Sequence, residues 1–87
     1  MRKTYAVVAG RLLHNLNPSL KFDDVIATRI VEQLAILRAS DDMPRAFAKT
    51  LIKKLKVAKV CFRYRSTDYD FSESIRLTIT SLREHAV

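Results

Sequence analysis

The chain contains very few residues that interrupt regular secondary structure. Its 87 residues include one glycine, Gly10, and two prolines, Pro18 and Pro44. Flexible linkers are built largely from glycine and proline, so the sequence has little material for a boundary between domains. A chain of this length normally forms one hydrophobic core. We therefore expect a single compact domain over residues 1–87.

Apolar residues in the first segment recur at the spacing that lines one face of a helix. The set is Tyr5, Val8, Ala9, Leu12, Leu13 and Leu16. The pattern stops at Asn17, because a residue that precedes proline is disfavoured in the helical conformation. It predicts a helix over about 3–16. The alternative is a short strand over 4–9, where Tyr5, Val7 and Val8 suit a pleated surface.

The same period predicts a helix over about 24–39. Asp23 and Asp24 are N-capping candidates, and Ile30 and Leu34 belong to the apolar stripe that follows them. Additional apolar residues such as Ile36 make this stripe wide. A wide stripe favours burial on more than one side, or contact with a partner.

A third helix is predicted over about 43–56, after a stop at 40–42. Pro44 is tolerated in a first helical turn, where its missing N–H costs nothing. Leu51 and Leu55 lie on an apolar stripe opposite Lys49 and Lys53. We expect an amphipathic helix with a basic outer face.

The period changes after residue 57. Val60, Phe62 and Tyr64 alternate with polar or charged residues, which is typical of a strand over about 58–65. An isolated strand needs a partner that satisfies its backbone hydrogen-bonding groups. We therefore expect a second strand near the C-terminus.

Residues 74–81 fit two periods. Ile75, Leu77 and Ile79 alternate with polar residues as in a strand, whereas Ile75, Ile79 and Leu82 also fit one face of a helix. Our expectation is a C-terminal β-hairpin with strands at about 58–65 and 74–81; the alternative is one strand followed by a fourth helix. The predicted fold class is therefore mainly α or α+β.

The charge balance points to the kind of partner. The chain has 16 Lys or Arg and 9 Asp or Glu, a formal net charge of +7. Such a balance attracts polyanions. A basic helix face can lie along phosphates, while Arg and Tyr beside it can contact phosphate or unpaired bases. The equally simple interpretation is a solvated face that keeps the protein dissolved. The candidate binding residues are Arg45, Lys49, Lys53, Lys54, Lys56, Lys59, Arg63, Tyr64 and Arg65.

No pattern in the sequence predicts catalysis. His14 and His85 lack the spacing of a metal-binding pair, and Cys61 alone offers no thiolate cluster. A single glycine excludes a glycine-rich phosphate loop. We therefore expect no enzyme activity, no metal and no cofactor.

The sequence predicts a soluble cytoplasmic protein. It has one cysteine, no signal-peptide pattern and no apolar run that can span a membrane.

Two resemblances follow from this element order. Three helices followed by a hairpin resemble the winged-helix arrangement, which implies that the third helix enters a DNA groove and the hairpin contacts the backbone. Helices before a basic sheet also resemble ribosome-dependent endoribonuclease toxins of the RelE type, although two long helices depart from that pattern. The second resemblance implies roles in phosphate stabilisation and proton transfer for Arg63, Tyr64, Arg65, Arg83 and His85.

The sequence favours a small, basic, non-catalytic nucleic-acid-binding or regulatory domain, whose partner is DNA or RNA. The alternative is a small inhibitor or adaptor of the phage or plasmid type, which occludes a larger host protein or nucleoprotein machine. Its partner would be an acidic surface or a nucleic-acid channel of that host protein. The wide stripe on the helix at 24–39 also suits a homodimer.

Overall fold

The computed structural model describes residues 4–17, 23–63 and 72–87, and this part of the chain folds into four α-helices. The helices are α1 (Thr4–Asn15), α2 (Asp24–Ala39), α3 (Arg45–Arg63) and α4 (Ser72–Arg83). The predicted helices over 3–16 and 24–39 are present as α1 and α2. The alternative strand over 4–9 is wrong.

Capping residues at both ends of α2 explain why this helix begins and ends where the sequence pattern predicted. Asp23 has extended backbone angles, φ −146° and ψ −179°, and its Oδ1 accepts a hydrogen bond from the Ile26 N–H at 2.9 Å. This bond satisfies one of the N–H groups that the first turn of a helix leaves without a partner. At the other end, the Ser40 N–H donates to the Leu37 carbonyl oxygen at 3.2 Å.

The predicted strand at 58–65 is wrong, because α3 continues past residue 56 to Arg63. Buried Leu51 and Leu55 and half-buried Ala58 keep the helical spacing, and no glycine or proline occurs between residues 45 and 63. Extending an existing helix adds a backbone hydrogen bond per residue without the cost of nucleation. Tyr64 and Arg65, the end of the predicted strand, lie outside the described residues.

The predicted strand at 74–81 is also wrong, and the fourth helix of the alternative is present as α4. Ile75, Thr78 and Leu82 are fully buried and Ile79 is 6% exposed, whereas Leu77 is 45% exposed. A strand would place Leu77 on the same face as Ile75 and Ile79. Burial instead follows the helical period. Neither the hairpin nor the strand of the alternative forms, so the winged-helix and RelE-type resemblances do not hold for the fold.

The four helices share one hydrophobic core. Helix α1 packs against α2, α2 against α4, and α4 against α3, while α1 approaches α3 more lightly. Within the described part of the chain, no Cα atoms of α2 and α3, or of α1 and α4, come within 8 Å of each other. The helices thus follow the spatial order α1, α2, α4, α3, with α2 and α3 diagonally opposite.

A polar connection joins α2 and α4 beside this core. Arg38 Nη1 donates to Thr78 Oγ1 at 3.0 Å, and the Thr78 hydroxyl donates to the Ser74 carbonyl oxygen at 2.8 Å. The Ser81 hydroxyl donates to the Arg38 carbonyl oxygen at 3.3 Å. Thr78 is fully buried, and these bonds satisfy a hydroxyl that would otherwise be costly to bury.

Replacing Leu82 with alanine tests the helical period of α4. Leu82 is fully buried, so Leu82→Ala should lower the free energy of unfolding by about 2–5 kcal/mol through lost burial and the cavity left behind. The control is Leu77→Ala on the same helix, which should change the free energy of unfolding by less than about 0.5 kcal/mol. Urea unfolding measures both. A larger loss from Leu77→Ala than from Leu82→Ala would contradict the helix.

Candidate functional site

The net charge of the protein is concentrated on α3. This helix of 19 residues contains seven Lys or Arg and no Asp or Glu. Subtracting those seven from the 16 basic residues of the whole chain leaves nine, which equals the number of acidic residues. The formal charge of +7 therefore corresponds to the charge of one helix.

Four of these cations form what we call the basic face of α3: Arg45, Lys49, Lys53 and Lys56. All four side chains are exposed. Lys49, Lys53 and Lys56 follow the i, i+4, i+7 spacing, which keeps them within a sector of about 60° around the helix axis. Relative to Lys49, the other two lie about 6 Å and about 10 Å further along that axis. The arrangement is a line of positive charge with a spacing set by the helix.

Two other predicted residues lie away from this face. Lys54 lines a small apolar notch between α1 and α3, together with Gly10 and Phe47. Lys59 is half-buried, and its charge acts on Glu73 at the start of α4.

The remaining predicted residues lie at or beyond the end of α3. Arg63 is the last residue of the helix, and the position of its side chain is not described. Tyr64 and Arg65 are outside the described residues. The structure therefore brings together four of the nine predicted binding residues.

The lysines of the basic face have no acidic partner among residues 4–17, 23–63 and 72–87. In this part of the chain the ion pair joins Glu73 and Arg76, one turn apart on α4. Arg45 is tied by a hydrogen bond, because its Nε donates to the Ala86 carbonyl oxygen at 3.4 Å. Lysines that no described acidic residue pairs with can neutralise phosphates of a polyanion, which releases the counterions condensed on that polyanion.

Sequence reasoning missed one exposed side chain beside the basic face. Val57 is 65% exposed and follows Lys53 by one helical turn. The predicted helix ended at residue 56, before this side chain. A prediction that continued the helix past residue 56 would have placed Val57 beside the lysines, through the helical period.

A second concave feature lies between α1 and α2. It is an open groove of about 840 Å³, with Arg11, His14, Arg29 and Glu32 in its lining. Its lining also contains buried Asn15, which donates from Nδ2 to Gln33 Oε1 at 3.0 Å. The groove contains none of the predicted binding residues.

The structure leaves the expectation of no catalysis and no cofactor untested. In the described ranges, no three His, Cys, Asp or Glu residues are grouped so as to hold a metal ion. Of the residues that the RelE-type resemblance implied, Arg83 is exposed and His85 is half-buried in the turn after α4. The side chains of the other three are not described.

Comparisons of this chain with protein-family models, with curated proteins and with solved structures found no match. Across the described residues, none of the helices has the length and apolar character required to cross a membrane.

The pKa of Glu73 on α4 can be tested, because charged residues on both α4 and α3 lower it. The hydrogen bond from Arg76 holds the pKa of Glu73 below its ordinary value, and the charges of Arg76 and Lys59 add to this. We expect Arg76→Gln to raise the pKa of Glu73 towards its ordinary range and Lys59→Gln to raise it less. A carboxylate with a lowered pKa stabilises the folded state above its unfolded pKa, and this is lost as pH falls through the folded pKa.

A carbon-13 NMR titration of the Glu73 carboxyl group measures both shifts directly. The effect on stability should be small, because both side chains of the pair are exposed. An equal pKa for Glu73 in the wild type and in Arg76→Gln would show that the ion pair does not form in solution.

Proposed function

We propose that the protein binds the phosphate backbone of nucleic acid, without catalysis, through the basic face of α3. The observation that carries this proposal is the concentration of charge: one helix holds seven cations and no acid, while the rest of the chain is balanced. A field from one side of a small protein steers a polyanion to that side.

The shape of α3 suits a linear polyanion. At 1.5 Å per residue, its 19 residues span about 28 Å, so lysines along its length can reach several successive phosphates. Lysine contacts phosphate as a point charge and reads little base sequence. The proposal is therefore for binding with weak sequence preference and a strong dependence on salt.

Neutralising two lysines of the basic face tests the proposal. We expect Lys49→Gln/Lys53→Gln to weaken binding to mixed DNA and RNA at low salt. Plotted as log affinity against log salt concentration, the slope should become shallower by about 1.4 to 1.8, because each phosphate contact contributes about 0.7 in single strands and about 0.9 in duplex DNA. Fluorescence anisotropy with labelled oligonucleotides, over a series of salt concentrations, gives both quantities.

The matched control is Arg11→Gln/Arg83→Gln, which removes the same charge from exposed positions on α1 and α4. The salt slope of this control should differ from the wild-type slope by no more than about 0.4, which is half the contribution of one phosphate contact. Equal losses in the two double variants would mean that net charge alone drives binding, with no role for the basic face as a surface. Absence of binding by the wild type at low salt would overturn the proposal.

A second candidate function is the occlusion of an acidic surface or a nucleic-acid channel on a larger host protein. The observation that favours it is Val57, a 65% exposed apolar side chain beside the lysines. Protein interfaces depend on apolar anchors surrounded by polar residues, whereas phosphate binding does not. Val57→Ser should weaken binding to a protein partner and leave nucleic-acid affinity unchanged.

A further inference from the structure

We propose that two copies of this protein pair antiparallel through the outer side of α2, with Arg29 of each copy against the partner's Glu32. This contact lies outside the basic face of α3 and does not depend on the proposed nucleic-acid binding. The proposed contact uses the outer side of α2 as its surface, a second copy as its partner and an antiparallel register. The proposal follows from four residues on one exposed line of the helix.

Four residues form what we call the α2 seam: Val25, Arg29, Glu32 and Ile36. Their separations of four, three and four positions keep them on one side of a helix, as in the seam of paired helices. Val25 is 57% exposed and Ile36 is 43% exposed, and the two charged side chains between them are exposed as well. The seam lies away from Ile30 and Leu34, which α2 buries in the core.

The order of residue types along the seam makes it complementary to itself. Val25 and Ile36 are equally far from its midpoint, and so are Arg29 and Glu32. A two-fold axis through that midpoint sets the seams antiparallel. Val25 then meets the partner's Ile36, and Arg29 meets the partner's Glu32, each twice in the dimer. A parallel pairing in register would instead bring like charges together.

The charges of the seam are available for this contact. Neither Arg29 nor Glu32 forms an ion pair with another part of the chain that the structure describes. Arg29, Glu32 and Ile36 also line the open groove beside α1, which leaves room for long side chains of a second copy. Complementary charge with space beside it favours a second copy over an acidic or a basic partner of another kind.

The distribution of charge permits such a dimer in a basic protein. Helix α2 carries two acidic and two basic residues and is neutral overall. The excess positive charge lies on α3, which is diagonally opposite to α2. Pairing through α2 therefore keeps the two basic faces apart, with one on each outer side of the dimer.

Reversing the charges of the seam tests the pairing and its register together. Arg29→Glu gives a seam with two acidic residues, and Glu32→Arg gives one with two basic residues. Each variant alone should weaken dimerisation at least about tenfold, because two attractive pairs become repulsive. The double variant R29E/E32R should restore the wild-type dissociation constant. An equimolar mixture of the single variants should form a heterodimer.

Sedimentation equilibrium without nucleic acid measures these constants, so its result is independent of the proposed function. Circular dichroism should show the same helical content in every variant, since all four seam residues are exposed. Ile36→Ser is a further variant that should weaken the dimer without changing the charge of the seam. A monomeric wild type at all accessible concentrations, or single charge reversals that leave the dissociation constant unchanged, would overturn the proposal.

Discussion

Burial of one apolar stripe from each helix in a shared core is the constraint on which the other features of the molecule depend. Leu12, Ile30, Leu55 and Ile75, one from each helix, are all fully buried. In an 87-residue chain no second core is available to compensate for an unburied stripe. Each helix must therefore turn its stripe inward, and whatever lies on its other side faces outward. The basic face of α3 and the α2 seam are both consequences of this requirement.

The polar connection between α2 and α4 helps to fix which side of each helix faces out. A core of interchangeable aliphatic residues tolerates small rotations of its helices. The hydrogen bonds that join Arg38 to Thr78 and Ser81 are directional, and they tie one edge of α2 to one edge of α4. A rotation of α2 would break them and leave the buried Thr78 hydroxyl without one of its partners. The exposed position of the α2 seam is thus set by polar geometry as well as by burial.

The sequence predicted elements well where the period of apolar residues was long and unambiguous. Helix α2 was predicted with its bounds because Asp23 marks its start and four core residues follow one period. The β-hairpin expected in the C-terminal third was wrong, whereas the fourth helix of the alternative is present. Residues 74–82 fit the strand period and the helical period at once. Only packing decides between them. Leu77 outside the core and Thr78 inside it show that the helical period prevailed.

The same limit applies to the candidate site. Sequence identified the basic side of α3, because lysines alternate there with core residues at helical spacing. The predicted binding set includes both Lys53 and Lys54, although consecutive residues of a helix lie about 100° apart around its axis. The position of α1 adds that Lys54 lines the notch. Val57 was missed because its exposure follows from the continuation of a helix that the alternating pattern of Val60 and Phe62 obscured.

The diagonal placement of α2 and α3 separates two kinds of interaction by their physics. Contacts of the basic face depend on long-range Coulomb attraction and counterion release, which salt weakens steeply. Contacts across the proposed α2 pairing would combine apolar burial, which salt does not screen, with ion pairs that salt screens in part. Because α2 and α3 are diagonally opposite, a change on the outer side of one reaches the outer side of the other only through the packed interior. A dimer paired through α2 would carry one basic face on each outer side, so only a polyanion long and flexible enough to reach both faces would gain from their increased effective concentration.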